Sequence, residues 1–228
     1  QAEWSDMGAL ARARSGMYAF LSLVYLSEPG CGLLACLSEP ALAVAMRELG
    51  VDAGAVLGGR DQEKGLEDLA VEYARLFLGP GRHLSPHESV HRGQEPGLGA
   101  GRGLLWGETT ARVKRFMEGL GFTVDEGSGV IPDHLGAELE LMAKLVRREE
   151  EAWRRGDRAA ALACLRDQEA FLEEHVLRWV PAFCREVESE AREEFYRWSA
   201  ALTREYVLFD HRQVEEVLRS EHSAGGGC

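Results

Sequence analysis

The sequence predicts an all-α protein that forms a single globular domain of several helices, with a long Gly-rich loop at its centre. Apolar residues recur every three or four positions along most of the chain, which places them on one face of a helix. Proline and glycine are concentrated between these periodic segments, where they end helices. No segment alternates apolar and polar residues in the two-residue period of a strand, and we find no internal repeat.

The N-terminal half is expected to hold three helices. The inward face of the first carries a set of apolar side chains: Leu10, Met17, Leu21 and Val24. Pro29-Gly30 ends this helix, and Ser38 can cap a short second helix that has Pro40 in its first turn. A third helix is expected over about residues 61–78, because Gly79-Pro80 follows and proline cannot continue a helix.

The C-terminal half is expected to continue in helices. One resumes near Leu104 and stops at Gly121, and Pro132-Asp133 opens the next. Asp157 is placed to cap a further helix that should end near Pro181. A long amphipathic helix should follow, with these residues on its inward face: Phe183, Val187, Phe195, Trp198, Leu202 and Phe209.

The window from residue 79 to residue 103 differs sharply in composition from the rest of the chain. It holds seven glycines and three prolines, which argues against a regular helix or strand. A connection of this length inside a compact protein is usually a functional loop or a linker. We therefore expect a hinge here, or a segment through which helices are exchanged between two protomers.

The composition narrows the class of function. Hydrophobic residues make up 45% and charged residues 28%, as in a folded globular protein. The formal net charge of −12 argues against nucleic acid and against an anionic membrane surface as partners. It suits a cationic partner, although a large net charge also serves simply to keep a protein dispersed.

Several features favour a cytoplasmic location. No apolar run approaches the roughly 20 residues that span a bilayer. The first residues lack the order of basic, apolar and small residues found in a signal peptide. The five cysteines form no C-x-x-C pair, as expected for reduced thiols in the cytosol. We expect no stable membrane insertion.

Three groups of residues stand out as motifs. Tyr73, Leu76 and Phe77 share one helix face, and such an apolar set normally packs into a core. Glu88, in Pro86-His87-Glu88-Ser89, can accept a bidentate pair of hydrogen bonds from an arginine, or can cap a neighbouring turn. In Pro132-Asp133-His134 the aspartate suits a helix start, and the histidine is a capping or packing residue.

In combination, these motifs resemble the signature of the redox-enzyme maturation chaperones, the family that includes TorD, DmsD and NarJ. The resemblance rests on Glu72–Pro80, Ser85–Val90 and Ile131–Gly136, and segments 171–181 and 195–196 look like the family's C-terminal half. It implies a TorD-like helical domain over residues 1–222, and the glycines that precede Cys228 indicate a flexible tail over 223–228. It also implies a monomer and a homodimer formed by helix exchange.

The resemblance further implies a cytoplasmic chaperone for an apo molybdenum-cofactor oxidoreductase. Such a protein would bind the client's twin-arginine leader peptide, assist cofactor insertion and delay export. The residues implied in peptide binding are Tyr73, Leu76, Phe77, Pro86, His87, Glu88, Ser89, Pro132, Asp133 and His134. Glu88 and Asp133 would take the arginines, while Tyr73 and Leu76 would take the apolar stretch. His87 replaces an aromatic residue of the family pattern, and Ile131 replaces a glutamate.

Two alternatives come from other classes. A small metal- or nucleotide-dependent hydrolase could use Asp133 and His134, and His83, His87 and His91 recur at a spacing that on a helix could share a metal ion. Pro86 interrupts that spacing, and no Lys-Ser or Lys-Thr follows the glycines as in a phosphate-binding loop. We therefore expect no catalysis, no metal and no cofactor. The other alternative is a helical adaptor unrelated to redox enzymes.

Overall fold

The computed structural model describes residues 2–37, 39, 62–79, 83–92, 106–123, 127 and 129–225. The helices in chain order are α1 (Ala2–Leu26), α2 (Cys31–Leu37), α3 (Gln62–Tyr73), α4 (Glu88–Arg92), α5 (Glu108–Gly119), α6 (Leu135–Arg155), α7 (Arg158–Phe171), α8 (Leu177–Glu190) and α9 (Glu194–Gly225). A π-helical segment, Ala74–Leu78, extends α3, and a second, Leu172–Val176, joins α7 to α8. The described residues form no strand, so the all-α prediction is confirmed.

The N-terminal helices largely follow the prediction. Helix α1 ends before Pro29-Gly30, and α3 with its π-helical extension ends at Leu78. Gly79 is in an extended conformation (φ −60°, ψ 159°), so it does not end the helix by adopting positive φ. A Cβ atom there would lie 3.1 Å from the carbonyl oxygen of Ala74, which favours glycine through close approach. Helix α2 was not predicted, and the predicted helix after Ser38 lies outside the described residues.

The starts and stops of the middle helices have visible causes. Gly121 and Gly156 adopt positive φ angles of 75° and 71° and end α5 and α6. The carboxylate of Asp157 accepts a hydrogen bond from the backbone amide of Ala160 (3.0 Å), which confirms it as the cap of α7. Helix α6 is capped by His134 and not by Asp133.

Two predictions about secondary structure are wrong. Pro181 lies inside α8, and the chain leaves helical geometry ten residues later, at Ala191. A proline inside a helix removes one hydrogen bond at a cost of about 3 kcal/mol. Burial of the neighbouring Trp179 and Phe183 opposes that cost, since a fully buried large apolar side chain contributes about 1.5–3 kcal/mol. The central window is also not wholly irregular, because Glu88–Arg92, which contains no glycine or proline, forms α4.

The core forms where α1 lies along α6, with α7, α8 and α9 completing it. Gly136, in the first turn of α6, is the point of closest approach, because any side chain there would collide with Leu26 of α1. Beside this contact the hydroxyl of Ser22 donates to the carbonyl oxygen of Gly136 (2.8 Å). Leu10 and Phe209, which were predicted to face inward, are instead 51% exposed, because the core occupies a narrower stripe of α1 and α9.

A buried polar cluster around Arg14 ties four helices together. The Arg14 guanidinium donates to Asp210 (2.6 Å), Glu149 (2.7 Å) and Gln168 (2.6 Å). The Tyr18 hydroxyl donates to the same Asp210 carboxylate at 2.8 Å. Although burial alone lowers the pKa of Arg14, the adjacent carboxylates of Asp210 and Glu149 raise it above its usual value. The cluster therefore holds a charged arginine inside the protein. Its members are far apart in the sequence, so no local pattern predicted it.

Among the described residues, no helix combines the length and the apolar character needed to cross a bilayer.

Candidate functional site

Two of the sequence motifs meet in the structure. The backbone amide of Glu88 donates to the carbonyl oxygen of Asp133 (2.9 Å), and that of Leu135 donates to the carbonyl oxygen of Pro86 (2.8 Å). These bonds form an isolated antiparallel bridge between His87 and His134. We call this contact between segments 85–89 and 132–135 the junction.

Each junction segment begins a helix and supplies a cap. The backbone amide of Ser89 in α4 donates to the Asp133 carboxylate (3.0 Å), so this aspartate caps the helix of the other segment. His134 caps its own helix, because its Nδ1 accepts from the backbone amide of Gly136 (3.1 Å). The side chains of Asp133 and His134 thus satisfy one free N–H group each, the first in α4 and the second in α6.

The two junction histidines pack ring edge to ring face, with their centroids 4.9 Å apart. Burial, and to a smaller extent the neighbouring His87, lower the pKa of His134 to about 3. Burial also lowers the pKa of His87, although the carboxylate of Asp133 acts in the opposite direction. Both imidazoles are therefore neutral at neutral pH.

Glu88 faces the interior and is 0% exposed. Its carboxylate pairs with the guanidinium of Arg92 one turn along α4, and it lies 3.0 Å from Nδ1 of His175. Arg92 also donates to the carbonyl oxygen of Glu174 (2.7 Å). Glu88 therefore fastens α4 to the π-helical segment Leu172–Val176.

Glu138 is a second buried carboxyl group, which the sequence analysis missed. One of its oxygens accepts a hydrogen bond from the indole N–H of Trp179 (3.1 Å). Burial raises its pKa well above the usual value, and the nearby charges of Glu88 and Asp133 add to that rise. Burial therefore favours the protonated form of the Glu138 carboxyl group. Its position on the apolar face of α6, between Leu135 and Met142, was the available signal.

The apolar motif residues belong to the core. Tyr73, Leu76 and Phe77 are each at most 4% exposed. The Tyr73 hydroxyl donates to the carbonyl oxygen of Tyr25 (2.7 Å), so it is engaged inside the protein. The amide of Leu84 donates to the carbonyl oxygen of Leu76 (2.7 Å), which anchors the helix end beside the junction.

The structure thus separates the ten predicted site residues into two groups. His87 and His134 are partly exposed at the junction surface. The others are buried: Tyr73, Leu76, Phe77, Pro86, Glu88, Ser89, Pro132 and Asp133. A peptide arginine could pair directly with Glu88 or Asp133 only if the junction opened, because both carboxylates are 0% exposed.

An apolar cavity of about 330 Å³ lies next to the junction and shares Pro132 with it. Its wall is mostly apolar and includes Trp106, Met117, Phe122 and Val130. Trp106 is 68% exposed and has a φ angle of 70°, which is unusual for a residue other than glycine. At the rim Lys114 and Glu118 form an exposed ion pair (3.8 Å). This cavity, which the sequence analysis did not predict, offers apolar surface and a carboxylate together.

The described residues contain no group of three or more His, Cys, Asp or Glu side chains arranged to hold a metal ion. The loop histidines engage different partners instead. His87 Nδ1 lies 3.1 Å from the Ser85 hydroxyl, whereas the His91 ring stacks on Trp179.

Comparisons with known proteins place the chain in a family. The family model described as nitrate reductase delta subunit matches residues 39–185, a span that includes both junction segments. The chaperone protein TorD of Vibrio cholerae serotype O1 (strain M66-2) is 24% identical over 165 residues, covering 72% of this chain and 70% of the relative. TorD of Shewanella sp. (strain ANA-3) is 27% identical over 169 residues, covering 72% and 71%. TorD of Aeromonas salmonicida (strain A449) is 31% identical over 151 residues, covering 65% and 62%.

Proposed function

The chain belongs to the nitrate reductase delta subunit family, which includes TorD and NarJ, and on this premise we propose that it is a chaperone of redox-enzyme maturation. Its client would be an apo molybdenum-cofactor oxidoreductase, which it would hold until the cofactor is inserted. We propose that it acts by binding and not by catalysis. The proposal is supported by the family match and by the apolar cavity beside the junction.

The client segment that suits this surface is a leader peptide with paired arginines and an apolar stretch. The apolar stretch would enter the cavity and pack on Trp106. The single observation that favours this site is the exposed side chain of Trp106 in the cavity wall. Glu118 would exchange its partner Lys114 for a leader arginine at small cost, because an exposed ion pair contributes only about 0–1 kcal/mol. His87, His134 and Pro132 would border the peptide on the junction side.

Glu88 and Asp133 take an indirect role in this proposal. The Asp133 carboxylate holds α4 against the start of α6, and the Glu88 carboxylate fastens α4 to the π-helical segment Leu172–Val176. Together these contacts would fix the position of Pro132 and hence one wall of the cavity. Loss of either would weaken peptide binding by loosening that wall. The leader, once bound, would be shielded from the export machinery, which would delay export until maturation is complete.

A titration with a client leader peptide tests the binding site. We expect Trp106→Ala to weaken binding at least about tenfold, as for a truncated aromatic anchor. Phe209→Ala is the matched control, because Phe209 is an aromatic residue that is 51% exposed on α9 and does not line the cavity. Equal affinity for wild type and Trp106→Ala would place the peptide elsewhere.

The client class requires a separate measurement. We expect the chain to co-purify with an apo molybdoenzyme and to release it after cofactor insertion. An adaptor unrelated to redox enzymes would show no difference between the apo and the mature enzyme.

A further inference from the structure

A second cavity of about 330 Å³ differs from the first in its charge. Four arginines line it: Arg92, Arg112, Arg115 and Arg178. The imidazole of His175 and the ring of Phe116 complete much of the wall, and Glu174 also contributes. The chain has a formal net charge of −12, so four guanidinium groups around one small cavity form a local concentration of the opposite charge.

The arginines come from three elements and are held in place by partners within the chain. Arg112 and Arg115 of α5 both pair with Glu108, at 3.6 Å and 2.8 Å. Nε of Arg178 in α8 donates to the carbonyl oxygen of Glu173 (3.1 Å). Each guanidinium carries five N–H donors, so Arg112, Arg115 and Arg178 retain donors beyond these bonds.

Arginine groups of this kind match ligands with several anionic oxygens. A guanidinium binds a phosphate or a carboxylate through two parallel hydrogen bonds, and convergent guanidiniums favour a multiply charged anion. A volume of about 330 Å³ is at the small end of the range for small-molecule sites, which favours a compact ligand over a folded segment of another protein.

We propose that this arginine-lined cavity binds a small polyanion that carries phosphate groups, either free or attached to a small organic molecule. The site is distinct from the peptide surface, but Arg92 connects it to the junction because the same guanidinium pairs with Glu88. A bound phosphate would compete with Glu88 for Arg92. Binding in the cavity would therefore weaken the ion pair between Arg92 and Glu88 in α4.

The test is calorimetric titration of the full chain, without any client, with inorganic pyrophosphate at low ionic strength. We expect saturable binding that weakens as salt is added. The double variant Arg112→Gln and Arg178→Gln should weaken binding at least about tenfold, because each change removes charged hydrogen bonds. Arg219→Gln is the control. Like Arg112, Arg219 is an exposed arginine paired with a glutamate four residues away, but it does not line the cavity.

Further ligands separate the sources of the anion. Tighter binding of ribose 5-phosphate than of inorganic phosphate would indicate a phosphate ester, whereas the reverse would indicate a free inorganic anion. The proposal is overturned if wild type does not bind pyrophosphate, or if Arg219→Gln loses as much affinity as the double variant. It is also overturned if citrate or a glutamate-rich peptide binds as tightly as pyrophosphate, because the site would then select charge and not phosphate. Because no client is present, none of these outcomes bears on the proposed chaperone function.

Discussion

The carboxylate of Asp133 accepts a hydrogen bond from the backbone amide of Ser89, 44 residues earlier in the chain. An aspartate that follows a proline at a helix start would ordinarily cap its own helix. Here it caps the helix of the opposite segment, while His134 caps α6. The two motifs therefore depend on each other for their local structure, and this dependence can be tested by single substitutions.

Asp133→Ala should lower the free energy of unfolding by about 1–3 kcal/mol, because it removes a cap and leaves the buried Ser89 amide without its acceptor. Asp133→Asn should retain much of that stability, since its amide oxygen can still accept the hydrogen bond. Urea denaturation of both variants measures the difference. Equal stability of the two variants would show that the cap contributes little.

Glu88→Gln and Glu138→Gln should behave differently although both residues are buried. The first breaks the ion pair with Arg92, which should cost about 3–5 kcal/mol of unfolding free energy. The second replaces a carboxyl group that already holds a proton, so at low pH it should change stability little.

The stability of Glu138→Gln relative to wild type should increase with pH. Folding keeps the proton on Glu138, whereas the unfolded chain releases it above the ordinary pKa of 4.5. Wild type therefore loses up to about 1.4 kcal/mol per pH unit from pH 4.5 upward, until the raised pKa of the folded state is reached. Denaturation curves at several pH values measure this trend, and a constant difference between the two proteins would contradict it.

His134 should make the protein less stable in mild acid. Its pKa in the folded state is about 3, so below the ordinary pKa of 6.5 the unfolded chain binds a proton that the folded chain does not. The resulting loss grows by about 1.4 kcal/mol per pH unit as the pH falls from 6.5 toward 3. His134→Asn keeps an acceptor for the Gly136 amide but does not titrate, so its stability should fall less steeply between pH 6.5 and pH 5. Parallel slopes would refute this assignment.

Arg14→Met should lower the free energy of unfolding by about 3–5 kcal/mol, because it leaves Asp210 and Glu149 buried without their cation. Arg12→Met is the matched control on the same helix. Its side chain is 75% exposed and pairs with Glu150 at the surface, so the change should cost less than about 1 kcal/mol. Similar losses in the two variants would mean that the buried cluster contributes little to stability.

A monomer and a helix-exchanged homodimer should both be observed by size-exclusion chromatography. Exchange through the window from 79 to 103 would preserve the core contacts while supplying some of the helices from a second chain. Interconversion should be slow, because much of the core must open first. A single species, before and after partial denaturation and refolding, would count against exchange.

The sequence allowed the helices to be predicted wherever the local pattern determined the outcome. Periodicity together with Gly79 and Gly121 located the ends of the π-helical extension of α3 and of α5 to within a few residues, and Asp157 located the start of α7. The helix end predicted at Pro181 was wrong, because burial of the neighbouring side chains in α8 outweighed the tendency of proline to end a helix. No local pattern can measure that competition.

The candidate site was predictable only in part. The family resemblance grouped residues of both motifs in one peptide site, and the structure brings segments 85–89 and 132–135 into contact. The resemblance did not indicate that Glu88 and Asp133 face inward. Burial of a carboxylate depends on partners such as Arg92 and His175, and His175 is 87 residues away from Glu88. Glu138 showed that a charged residue on an apolar helix face can mark a buried polar contact. The apolar cavity forms from separate segments and left no continuous pattern.

Arg14 also determines when this chain can finish folding as it is synthesised. Its partner Asp210 lies 196 residues later, which corresponds to about 10–40 seconds of translation. Until then the apolar face of α1 and the guanidinium of Arg14 lack some of the residues that they contact in the folded protein. We therefore expect the newly made chain to expose apolar surface, and to be prone to aggregate, until Asp210 has been made and the Arg14 cluster can close.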